Sequence, residues 1–125
     1  MTARSQAVYT GRMNDQYLVA LPDDWERVAH VFSALGDATR QKILLLFEPG
    51  EQISLSTLVA VIGLSRTAVS HHVNVLVRAG LLIPTRQGKE VSYRRDLPFT
   101  IDMLDRVREY ALSELAAEEG AQRNG

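Results

Sequence analysis

The chain has 125 residues, a length that fits one domain, with 46% hydrophobic and 23% charged side chains; that balance supports a packed core and argues against wholesale disorder. It contains no cysteine, which excludes disulfides, thiolate metal sites and cysteine redox chemistry. The net charge is −1 but unevenly spread: residues 65–95 carry Arg66, Arg78, Arg86, Lys89, Arg94 and Arg95 against Glu90 alone, while the flanking stretches are acidic. A basic block of this kind is a better sign of a nucleic-acid footprint than the overall charge.

Residues 1–21 are expected to form an N-terminal arm or short helix around Tyr9, Tyr17, Leu18 and Val19. Met1 to Gly11 lacks the basic-then-apolar order of a signal peptide, and no apolar run is long enough to span a bilayer. A cytoplasmic location without a membrane partner is the expectation. Pro22-Asp23-Asp24 marks a helix start, with proline in the first turn and acids at the positive dipole end. Trp25, Val28, Ala29, Phe32 and Leu35 recur at helical spacing, and Gly36 ends the element. Asp37 can cap a second helix through Ile43, Leu44 and Phe47, stopped by Pro49-Gly50; its near-continuous apolar residues predict a place at the centre of the core.

Gln52-Ile53-Ser54 can pair as a short strand, and Ser56 can cap a third helix, Thr57 to Ile62, with Leu58, Val59 and Ile62 inward. Gly63 closes it in a turn, and Ser65 caps a fourth helix ending near Ala79-Gly80. Leu81–Arg86 and Glu90–Arg94 then read as two strands of a hairpin turning at Gly88. A last helix is predicted from about Pro98, with Ile101, Leu104, Val107, Ala111 and Leu115 as its apolar stripe, followed by a polar, flexible tail over 118–125. The order predicts a mainly α fold with a small β-hairpin wing, a winged helix-turn-helix occupying residues 22–117.

The fourth helix carries the chemistry. At 100° per residue, Val69, Val73 and Leu76 share one side, while Thr67, His71, Asn74 and Arg78 fall opposite, with Ser70 at the edge. Asparagine can pair bidentately with adenine, arginine with guanine, and a threonine methyl can touch thymine. Arg66, in the first turn, is placed for phosphate. An ordinary solvated helix face favours Glu, Lys and Gln; this one uses poorer helix formers, which a binding role explains. His71-His72 is no chelate, because helix neighbours diverge by 100°; His71 is read as a DNA contact and His72 as packing. On the hairpin, Arg86, Gln87, Lys89 and Arg94 can reach phosphates.

Three segments resemble the ArsR family of bacterial winged-helix repressors: Phe32-Ser33-Ala34-Leu35-Gly36-Asp37-Ala38-Thr39-Arg40-Gln41-Lys42-Ile43-Leu44, then Leu58 to Leu82 with Val69-Ser70-His71-His72-Val73 at its centre, and the wing Arg86 to Arg94. The resemblance spans about residues 25–96 and implies a homodimer built on the first and last helices. Trp25, Val28, Phe32, Ile101, Leu104, Val107 and Leu115 suit that interface, and paired recognition helices would favour an inverted repeat. The metal sites of the family's metal sensors do not transfer. There is no cysteine near the third helix and no histidine on the last, and carboxylates alone are poor ligands for zinc, nickel or cobalt.

The expected function is a dimeric DNA-binding transcriptional regulator, a repressor of an inverted-repeat operator. It would be released by a signal such as a small molecule or protein effector. The competing reading is a protein-interaction module, antitoxin-like or a scaffold, that keeps the fold without sequence-specific DNA binding; the polar recognition face weighs against it. No cofactor, metal or catalytic residues are expected, since no phosphate loop or nucleophile–base pair is evident.

Overall fold

The computed structural model describes residues 21–124, so the expected N-terminal arm lies, apart from Leu21, outside the described residues. Five helices and three strands follow in the order α1 (Asp23–Leu35), α2 (Ala38–Leu45), β1 (Ile53–Ser54), α3 (Leu55–Ile62), α4 (Arg66–Arg78), β2 (Leu82–Gln87), β3 (Glu90–Arg95) and α5 (Leu97–Asn124). The strands form an antiparallel sheet in the order β1-β3-β2. This is a winged helix-turn-helix with a long C-terminal helix.

Helix α1 starts after Pro22 with Asp23, Asp24 and Glu26 in its first turn. Its buried residues are Val28, Val31 and Ala34, so Val28 is shared but the core face is centred about 100° round the helix from the middle of the Trp25–Val28–Ala29–Phe32–Leu35 set that spacing suggested. Both sides are apolar; α2 and α4 select the one carrying Val31. Asp37 caps α2 as expected, its carboxylate accepting from the Arg40 N–H at 3.1 Å. The central position expected for α2 is not found. Only Ile43 is fully buried in the helix and Leu45 is 80% exposed. The helix ends at Leu45, and the chain beyond it returns to the core at Phe47.

Ser54, not Ser56, caps α3, accepting from the Thr57 N–H at 3.1 Å. Pairing of Ile53 with Tyr93 and Ser54 with Ser92 holds the chain extended up to Ser54, so the helix begins two residues earlier than Ser56 would set it. The core gathers Val28, Val31, Ala34, Ile43, Phe47, Leu58, Val69, Val73, Leu76, Leu81, Leu82, Tyr93 and Met103 around α4.

Helix α5 is apolar on two faces, and most of the expected stripe lies on the one turned away from the body of the domain. Met103 is 1% exposed, whereas Ile101 is 57% exposed. Phe99, Met103 and Val107 meet the body of the domain, and Leu97, Ile101, Leu104, Leu112 and Leu115 line the opposite side. Two contacts hold α5 against α1: Trp25 meets Tyr110 edge-on at 5.4 Å between ring centroids, and the Arg106 guanidinium donates to the Asp24 carboxylate at 3.1 Å. The helix continues through Asn124, past the tail boundary expected at 118, because alanine, glutamate, glutamine and arginine dominate that stretch and all favour helix.

Candidate nucleic-acid interface

The turn between α3 and α4 is built by two local devices. Gly63 takes a left-handed conformation (φ 79°), and its N–H donates to the Val59 carbonyl at 3.3 Å, closing α3. Two residues on, Ser65 Oγ accepts from the Ala68 N–H at 3.1 Å and opens α4. Val69, Val73 and Leu76 are fully buried and fix the rotation of α4, leaving Arg66, Thr67, His71, Asn74 and Arg78 exposed and Ser70 half-exposed. None of these six side chains hydrogen-bonds within the described residues.

The wing follows from strict alternation. Leu82 pairs with Arg95, Pro84 with Tyr93 and Arg86 with Val91, and the two-residue turn is Gly88-Lys89 between Gln87 and Glu90. Arg86 therefore shares a face with Tyr93, whereas Arg94 shares the other with Glu90 and Thr85. The four wing residues do not converge on one surface. Arg86 and Lys89 lie at the exposed tip, and Gln87, at the tip, shares the reverse face with Arg94, which is also exposed. Arg95 sits over the Phe47 ring, 5.9 Å from its centroid, within cation–π range.

Tyr93 joins the two halves. Burial pushes its phenol above the ordinary value of 10.0, and the Arg86 and Arg66 guanidiniums pull against that rise. The phenol thus feels both the first turn of α4 and the wing.

Comparison with known proteins decides the family. A profile described as a helix-turn-helix domain matches residues 35–85. A probable mercury resistance operon repressor from Streptomyces lividans is 34% identical over 92 residues, covering 74% of this chain and 73% of that protein. An ArsR-like transcriptional regulator from Rhodococcus sp. RHA1 superposes with a TM-score of 0.62 at 31% identity, covering 81% of this chain and 94% of that one. The chain belongs to the ArsR family of winged helix-turn-helix transcriptional regulators. A further solved neighbour, the homodimeric winged helix-turn-helix domain of Mb0332 from Mycobacterium bovis, shares the fold at 24% identity with a TM-score of 0.55, covering 88% of this chain and 91% of that one.

Within this ArsR-family chain, the residues assigned to the interface between copies differ in exposure. Phe32, Ile101, Leu104 and Leu115 are exposed, and Trp25 and Val107 are half-buried. Val28 is only 4% exposed, so it belongs to the core of the single chain and is closed to a partner. No group of three or more metal-ligating side chains lies together among the described residues. No helix among them is long and apolar enough to cross a membrane.

His72 is not merely packed. Its Nδ1 lies 3.3 Å from Arg40 Nη1 and 3.8 Å from Asp37 Oδ2. Arg40 and His72 are 32 positions apart, so no local pattern could have paired them.

Proposed function

We propose that this ArsR-family regulator acts as a homodimeric repressor in the cytoplasm. In this reading α4 enters the major groove, the wing tip touches the flanking backbone, and the operator is an inverted repeat. The observation that carries the reading is the outward face of α4: Thr67, His71, Asn74 and Arg78 are exposed and have no hydrogen-bond partner within the described residues, above a buried Val69–Val73–Leu76 anchor. Donors and acceptors held rigidly in that way suit base edges. Arg66 and Arg86, both felt by Tyr93, suit phosphates.

The exposed stripe Ile101, Leu104 and Leu115 on α5, with Phe32 on α1, supports pairing of two copies. The homodimeric state of Mb0332 supports it further. Two-fold symmetry sets the recognition helices one DNA turn apart, roughly 34 Å, and so calls for an inverted repeat. Repression accords with the name of the Streptomyces lividans relative. Release from DNA needs an effector, a small organic molecule or a protein, that binds the DNA-free geometry of the dimer more tightly than the DNA-bound one.

The test is affinity for a genomic fragment that the chain itself selects. Arg78→Ala and Asn74→Ala should each weaken binding by about 1–3 kcal/mol while the dimer stays folded. Wild-type affinity in both variants would remove α4 from the interface.

A further inference from the structure

Arg40 ties together three parts of the domain. Its Nε donates to the Ala34 carbonyl at 2.7 Å and its Nη2 to the Ser33 carbonyl at 3.2 Å, so it holds the C-terminal carbonyls of α1. Its own N–H is engaged by the Asp37 cap of α2. Its Nη1 reaches His72 Nδ1, on the side of α4 turned away from the exposed face. A guanidinium has donors only, so this contact requires Nδ1 to accept, which makes His72 neutral with its proton on Nε2. An imidazolium has no acceptor, so it must release Arg40 and turn toward Asp37, the carboxylate 3.8 Å away.

Among the described residues, Arg40 of α2 and its N-cap Asp37 are the charged groups in contact with His72. From α1 the junction receives the Ser33 and Ala34 carbonyls, and on α4 itself the His71 ring stands 5.7 Å away between centroids. Hydrogen bonding from the Arg40 N–H, with help from the guanidinium, holds the Asp37 carboxyl below its usual range, so it remains an anion wherever histidines titrate.

We propose that Arg40 is a positioning residue for the DNA-reading helix: it locks α4 to the end of α1 through neutral His72, and protonation of His72 opens the lock and weakens sequence-specific DNA binding. The inference rests on the DNA-binding role proposed above. It adds a route by which α1, an element of the proposed dimer face, and α4 move together.

Two variants separate this role from simple packing, and Arg40 itself, which also caps α1, is left unchanged. His72→Phe keeps a ring but removes the acceptor. His72→Asn keeps an acceptor near the Nδ1 position and cannot be protonated. The probe is a genomic duplex enriched by the full chain, with its dissociation constant measured from pH 8 to pH 5.5 and folding checked by thermal melting. At pH 8, His72→Phe should bind about three- to tenfold more weakly, and His72→Asn within about twofold of wild type. On acidification the wild type should lose affinity relative to His72→Asn. Protonation of His71 is common to both and cancels in that comparison.

A second arm needs no DNA. Backbone amide shifts at Ser33, Ala34 and along α4 should titrate together in the wild type and not in His72→Asn. Equal pH profiles for wild type and His72→Asn, or wild-type affinity in His72→Phe at pH 8, would overturn the inference. If the chain enriched no duplex at all while the amides still titrated together, the lock would stand and the DNA-binding reading would fall; amides that did not titrate together would overturn the lock.

Discussion

The Phe99 ring fills the space that a side chain on Gly80 would need: a Cβ built there falls 2.7 Å from the ring. Gly80 is also left-handed (φ 89°) and ends α4, with the Leu81 N–H donating to the Leu76 carbonyl at 3.0 Å in a Schellman closure. The end of α4 is therefore keyed to the start of α5. Gly63 has a similar backbone, but a Cβ there meets nothing within 4 Å. Gly80→Ala should destabilise the fold by about 2–4 kcal/mol, from strain plus displacement of the ring, and Gly63→Ala by about 1 kcal/mol from strain alone. Denaturant unfolding of the two variants checks the order; equal losses would show that the Phe99 contact contributes nothing.

The two faces of α5 should separate folding from assembly. Met103→Ala empties a fully buried site and should cost about 2–5 kcal/mol of folding stability. Ile101→Glu and Leu104→Glu change exposed positions and should leave the melting of the single chain nearly intact. Sedimentation should then find them shifted from dimer to monomer. A dimer that survives both charges would move the interface elsewhere.

The wing arginines should differ in their effect on salt dependence. Arg86 shares Tyr93's face of the hairpin and Lys89 sits in the turn. Replacing both with alanine should lower the slope of log affinity against log salt by up to about 2. Arg94, on the reverse face and paired with Ile83 away from the tip, should change it by less than Arg86 does. A slope unchanged in the Arg86/Lys89 double variant would reject phosphate contact at the wing tip.

Tyr93 gives a pH signature. Its folded-state phenol titrates above the ordinary 10.0, chiefly because it is buried. The neutral phenol is therefore favoured by folding. Its contribution is fully present below pH 10 and is lost as pH rises from there through the folded value. Chemical denaturation between pH 9 and 11 should find wild-type stability falling more steeply than that of Tyr93→Phe. Parallel curves would mean that the phenol ionises freely in the folded chain.

Much of this architecture is written in local chemistry. Ser65, Gly63 and Asp37 announce helix ends because their side chains or backbone freedom act within three or four residues, and the Val69–Val73–Leu76 stripe sets the exposed side of α4 without outside help. What local chemistry could not decide was the choice between competing surfaces. Helices α1 and α5 are apolar over more than half their circumference, so only packing against α2 and α4 selects Val31 over Phe32, and packing against the body of the domain selects Met103 over Ile101. Ser54 and Ser56 are both competent caps, and pairing with β3 favours the first. The Arg40–His72 contact joins distant segments and is visible only once α1, α2 and α4 are assembled.

Whether paired α4 helices read DNA is decided by sequencing the fragments that the purified chain retains from the genomic DNA of its source. Fragments sharing a two-fold symmetric site with half-site centres about 10 base pairs apart should be enriched, and the enrichment should be lost when Asn74 and Arg78 are both changed to alanine. Uniform coverage of the genome, or enrichment that survives the double change, would contradict DNA reading by α4.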